Sequence, residues 1–153
     1  MSGAVPLISP EERPVDRNVI FTPDAPWSPG GFSQAITYNG LLYVSGQLPI
    51  DPATGRMLPR PLNPLFGGGD QAVDAQMKQC LNNLNAICQA AGADLSKAIK
   101  LTIYTPVLVE FSSVIDRVCR EFFSVAPPAR SMIGANVLQG NALVQVDAIV
   151  PLT

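Results

Sequence analysis

A chain without histidine has few ways to move a proton, and this one has none among its 153 residues. A Ser-His-Asp triad, a Cys-His pair and a typical zinc site each lose a required member. Proton transfer falls to carboxylates, lysine, tyrosine, cysteine or bound water. Arg130 is one side chain that could still bind an anion. Its planar guanidinium can grip a carboxylate through two parallel charge-assisted bonds, and a predicted strand holds the fork rigidly. By residue type alone, a structural ion pair with a carboxylate such as Asp147 is an equal alternative. Gly46 lacks a Cβ and lets a ligand approach closely, and backbone N–H groups near Gly46 and Met132 could orient substrate or water. Ser45 adds a hydroxyl that donates or accepts. Gln145 and Asp147 are two residues apart, so they share a sheet face, roughly 7 Å from each other along the strand.

The elements that hold these residues are written in the hydrophobic pattern. The run from Phe32 to Tyr38 and the run from Leu41 to Ser45 flank Asn39-Gly40, which predicts a hairpin because both residues tolerate positive φ. Val73, Met77, Cys80, Leu81, Leu84, Ile87, Cys88 and Ala91 form one helical stripe, with Asp70 the expected N-cap and Gly92 the stop. Ile99, Leu101 and Ile103 alternate with Lys100, Thr102 and Tyr104, as a strand with one buried face does. Leu108, Phe111, Val114, Ile115, Val118, Cys119 and Phe122 mark a second helix. A strand around 129–135, a turn at Gln139-Gly140-Asn141 and a last strand over 142–150 complete the order. The result is an α+β fold, β-β-α-β-α-β-β, with two helices on one sheet face. Cys80, Cys88 and Cys119 fall on the stripes and are read as core.

Two segments stand apart. Residues 1–31 carry six prolines and are expected to form an irregular arm, with Val19, Ile20, Phe21 and Trp27 able to anchor it. The folded domain is expected over 32–153. Within it, 51–70 is a long loop whose prolines and glycines forbid a helix or a central strand.

Composition narrows the function. Net charge is −2 with no basic stripe, so nucleic acid is not an expected partner. No uncharged stretch suits a bilayer and no secretory signal is visible, so a cytoplasmic protein without a membrane partner is expected. An odd cysteine count argues against a disulfide framework. The chain is 47% apolar and only 14% charged, which favours apolar surface hidden between subunits.

Five tags in order resemble the Rid (reactive intermediate deaminase) family over roughly 120 residues. They are Tyr43-Val44-Ser45-Gly46-Gln47-Leu48-Pro49, Asp51-Pro52-Ala53-Thr54-Gly55, the region of Asn82-Asn83-Leu84, Ala90-Ala91-Gly92-Ala93, and Pro128-Ala129-Arg130-Ser131 with the closing Val146-Asp147-Ala148-Ile149-Val150. The resemblance implies a chorismate-mutase-like fold, a homotrimer and sites in the clefts between subunits. It implies a small-molecule carboxylate substrate, an imino or enamine acid hydrolysed to a keto acid plus ammonia, with no metal or organic cofactor. Arg130, Gln145 and Asp147 are the implied catalytic positions. Arg130, Ser45, Gly46, Phe32, Met132 and Ser131 are the implied substrate-binding ones.

Three positions depart from that family's pattern. Gln145 stands where deaminating members carry a glutamate, Phe32 where a tyrosine is familiar, and Met132 where a cysteine is frequent. Glutamine cannot take a proton, and losing a general base can cost on the order of 10²–10⁴ in rate. The departures, the arm and the loop point to a specialised member serving one biosynthetic pathway. Three functions follow: imine or enamine hydrolysis, non-hydrolytic binding of a small acid, or a repurposed reaction such as tautomerisation or cyclisation.

Overall fold

The computed structural model describes residues 16–28 and 30–153. Among them the chain runs β1 (Arg17–Ile20), β2 (Ala35–Tyr38), β3 (Leu41–Gln47), β4 (Ile50–Asp51), β5 (Arg56–Met57), α1 (Gly69–Ala90), β6 (Lys100–Thr105), α2 (Leu108–Phe122), β7 (Ala129–Gly134) and β8 (Gln145–Pro151). One six-stranded sheet has the order β1-β2-β3-β8-β6-β7. Its neighbours are antiparallel except β6 and β7, which are joined by the crossover helix α2 and run parallel. Asn39 and Gly40, at φ 49° and 77°, make the two-residue turn that pairs β2 with β3, as their sequence requires.

Alternation along the strands sets the core. Leu42 and Val44 of β3, Leu101 and Ile103 of β6, and Val146, Ala148 and Val150 of β8 are buried on one face. The α1 stripe of Val73, Met77, Leu81, Leu84 and Ile87 is buried with them, and so are Phe111, Val114, Ile115 and Val118 of α2. Both helices therefore lie on one side of the sheet, with α1 over β3 and β8 and α2 beside β7. The opposite face has no helix among the described residues. It displays Tyr43, Tyr104, Ile133 and Ile149 together with polar side chains.

Four expectations need correction. The arm is not irregular throughout: β1 lies within it and pairs with β2. Proline-free residues 17–20 leave every backbone N–H available to the sheet edge. Val19, Phe21 and Trp27 do not anchor the arm, being 61%, 60% and 73% exposed. Of the four, Ile20 alone packs against the core, and the rest of the anchor is mostly polar. Gln34, buried, accepts from Thr22 N (2.8 Å) and donates to Thr22 O (3.0 Å) and Pro26 O (3.1 Å), while Ala25 packs into the core. The loop expected over 51–70 carries most of the β4–β5 hairpin and a short 3-10 turn at Pro64–Phe66, and α1 already begins within it, at Gly69. Gly68, not Asp70, caps α1; Asp70 sits in its first turn, where a carboxylate favours the helix dipole.

Candidate functional site

The candidate residues divide into two groups on opposite faces of the sheet. Arg130 pairs in register with the buried Leu101, and Met132 with the buried Ile103, so both point to the helix side. Ser131, between them, points the other way and accepts a hydrogen bond from Lys100 Nζ at 2.9 Å. Gln145 and Asp147 share that other face, in register with Tyr104 and Thr102. One protomer does not bring Arg130 and Gln145 together. Two strand spacings, about 10 Å, separate β7 from β8, and the two side chains leave the sheet on opposite faces.

Arg130 opens on a cleft of about 610 Å³ between α2 and the edge strand β7, walled by Asp116, Cys119, Arg120, Phe123 and Pro128. Its Nη2 donates to Asp116 Oδ1 on α2, and both side chains stay about a third exposed. The ion-pair partner expected at Asp147 is thus Asp116, because Asp147 faces away from the helices. Burial works against the arginine's charge, but Asp116 and the Cys119 thiol beside it outweigh that and hold its pKa above the ordinary value. Burial in turn pushes the Cys119 thiol up, against the pull of Arg130. Cys80 is raised further and Cys88 is pushed up to about 12, both by burial, so neither is a nucleophile at neutral pH.

The second group surrounds Gly46. A bulge in β3 between Val44 and Gln47 lifts this segment off β8. Gln145 fills the space released: a Cβ on Gly46 would stand 2.2 Å from Gln145 Nε2. Beside it, Trp27, Phe32, Gly46, Leu48 and Gln139 line a cleft of about 180 Å³. Phe32 is 55% exposed and supplies an apolar wall there. Ser28 Oγ, at the same cleft, is buried without a hydrogen-bond partner among the described residues. Ser45 spends its hydroxyl proton on Ser33 O at 2.6 Å, so it is left as an acceptor only. Asp147 is pushed above the ordinary aspartate value by burial, against opposing bonds from Thr102 and Tyr104 and the charge of Lys100.

Asp116, Trp27 and Ser28 are site residues that the sequence pattern did not point to. Asp116 lies on the α2 turn before Cys119, a signal visible only once the face of α2 over β7 is known. No group of three or more His, Cys, Asp or Glu able to hold a metal occurs among the described residues. Nor, among them, is any helix long and apolar enough to cross a membrane.

The arrangement defines a class: small α+β proteins with an arginine at an edge-strand cleft and a glycine bulge on the sheet's far side. The family described as Endoribonuclease L-PSP matches residues 22–152, and the chain belongs to this family, which includes the Rid and RutC proteins. It is 45% identical over 134 residues to the RutC family protein y4sK of Sinorhizobium fredii, covering 88% of this chain and 97% of that one. It is 35% identical over 140 residues to a 2-iminobutanoate/2-iminopropanoate deaminase of Bos taurus, covering 90% and 93%. A crystal structure of a Rid-family protein of unknown function from Yersinia pestis superposes with TM-score 0.78 at 33% identity, over 89% of this chain and 99% of that one.

Proposed function

We propose that this protein binds a small imino or enamine carboxylic acid and hydrolyses it to the keto acid and ammonia. One observation carries the reading. The Arg130 guanidinium, carried on β7, is tethered to Asp116 through a single nitrogen, lies beside the Cys119 thiol and lines a cleft large enough for a small acid. The bovine relative is named for such imines. The family description names a ribonuclease, but a net charge of −2 and the absence of histidine favour a small anion over a polyanion.

The two half-sites are completed by a second copy. Arg130 lies on the helix side of β7 and the Gly46–Gln145 group on the open face, so a neighbouring protomer must bring one against the other. The exposed Tyr43 and Ile133 on the open face, and Trp27 and Phe32 at its rim, supply apolar surface for that contact. A homotrimer suits it, with three equivalent clefts around the axis. In this assembly Gln145 and the Gly46 backbone position water, and Asp147 is the nearest carboxylate.

Gln145 favours a second reading, binding without hydrolysis, because an amide cannot accept the proton of the attacking water. The deciding experiment is ammonia release from 2-imino acids generated in place by an amino-acid oxidase. Acceleration that disappears in Arg130→Ala, with the mass in solution unchanged, supports hydrolysis. Tight but unproductive binding supports the second reading. A monomeric mass by light scattering would overturn the shared-site arrangement.

A further inference from the structure

The Arg130–Asp116 pair leaves a charge pattern in the cleft that stability does not explain. Both side chains are about a third exposed, and exposed pairs of this kind contribute little. The contact is one-point. Asp116 Oδ2 has no hydrogen-bond partner among the described residues, and the other guanidinium nitrogens of Arg130 have no oxygen partner on α2. Arg120, one turn further along α2, lines the same cleft but forms no ion pair with Asp116. A cation and an anion therefore stand side by side, each with unused capacity, at the position where a ligand carboxylate would dock. A ligand bearing only a carboxylate gains Arg130 but meets Asp116, a like charge. A ligand whose adjacent carbon carries a protonated nitrogen satisfies both, because that nitrogen lies beside its own carboxylate and falls next to Asp116.

We propose that Asp116 is a specificity-determining residue that reads a protonated nitrogen on the α-carbon of the acid held by Arg130. The cleft accepts α-iminium and α-ammonium acids and turns away acids of the same shape that lack the nitrogen. This rests on the carboxylate grip proposed above and names the substrate's second recognition point.

Two isosteric probes test it, 2-aminobutanoate and 2-hydroxybutanoate, titrated calorimetrically into the full-length protein. Wild type is expected to prefer the amino acid by about tenfold or more, the value of one charge-assisted hydrogen bond. Asp116→Asn keeps an acceptor for Arg130 but removes the charge, so the preference should vanish while binding of 2-hydroxybutanoate improves. Asp116→Glu should retain the preference. Arg130-dependent binding with the same preference in Asp116→Asn overturns the role of Asp116 alone. Failure of wild type to bind either acid, or equal binding by Arg130→Ala, overturns the carboxylate grip and this proposal with it.

Discussion

Gln145→Glu tests the catalytic reading most directly, because the change is nearly isosteric and its surroundings are defined. The side chain lies over Gly46, where a hydrogen stands in for a Cβ, so the introduced carboxylate inherits the position of the amide. Asp147 is an acidic neighbour on the same face, two residues along β8. At roughly 7 Å and an effective dielectric of 20, two negative charges repel by about 2 kcal/mol. Both positions are partly open to solvent, which lowers this to about 1 kcal/mol or less. The repulsion raises the titration of the introduced acid, yet leaves it ionised and basic at neutral pH. A positioned base contributes on the order of 10²–10⁴ in rate. The assay is ammonia release from freshly generated 2-imino acid across pH 5 to 8. The variant should exceed wild type by about a hundredfold or more, and its rate should climb with pH as the acid ionises. An unchanged rate, with ligand binding and oligomeric mass intact, would refute a water-handling role for this position.

Other outcomes follow from the packing. Gly46→Ala forces Gln145 aside, costing about 1–2 kcal/mol in denaturant unfolding. The double variant Gly46→Ala/Gln145→Ala should recover that loss, whereas an equal loss in both would place the strain in the backbone. Gln34→Ala removes the clamp on Thr22 and Pro26 and should cost about 2–3 kcal/mol. Hydrogen exchange should then accelerate at β1 first, and uniform acceleration would contradict the clamp. Asp147 is raised by burial, so the folded chain holds its proton more tightly than the unfolded chain. That contribution is full below the ordinary aspartate value and fades as pH rises through the folded one. Wild type should therefore lose stability relative to Asp147→Asn as pH climbs from 4 toward 7. Parallel urea-unfolding profiles for the two would count against it.

The helices and the first hairpin were legible because their signals are local. The α1 and α2 stripes repeat every three or four residues, and Asn39-Gly40 admits few other turns. β1 was hidden because its pairing with β2 is long-range, while the prolines on both sides dominate the composition of the arm. The prolines of 51–70 correctly excluded long elements but were silent on a two-residue pairing such as Ile50–Asp51 with Arg56–Met57. Strand alternation alone already sets Ser131 on the face opposite Arg130 and Met132. Placing Gln145 relative to Arg130 requires the strand order, which no single segment encodes. Asp116 was illegible because the rotation of α2 over β7 is fixed by how Phe111, Ile115 and Val118 pack, not by the residues around Asp116.

The division of the candidate residues between two sheet faces has a genetic meaning. A protein whose cleft is built across protomers does not inactivate subunit by subunit. In the shared-site assembly proposed above, two defective chains, one altered at Arg130 and one at Gly46, would each be inactive in pure form. Mixed within one assembly, they place an intact arginine against an intact glycine bulge at some junctions, and a fraction of the function returns. Two individually inactive alleles would then complement each other in the same cell, and dilution would erase activity faster than it removes protein.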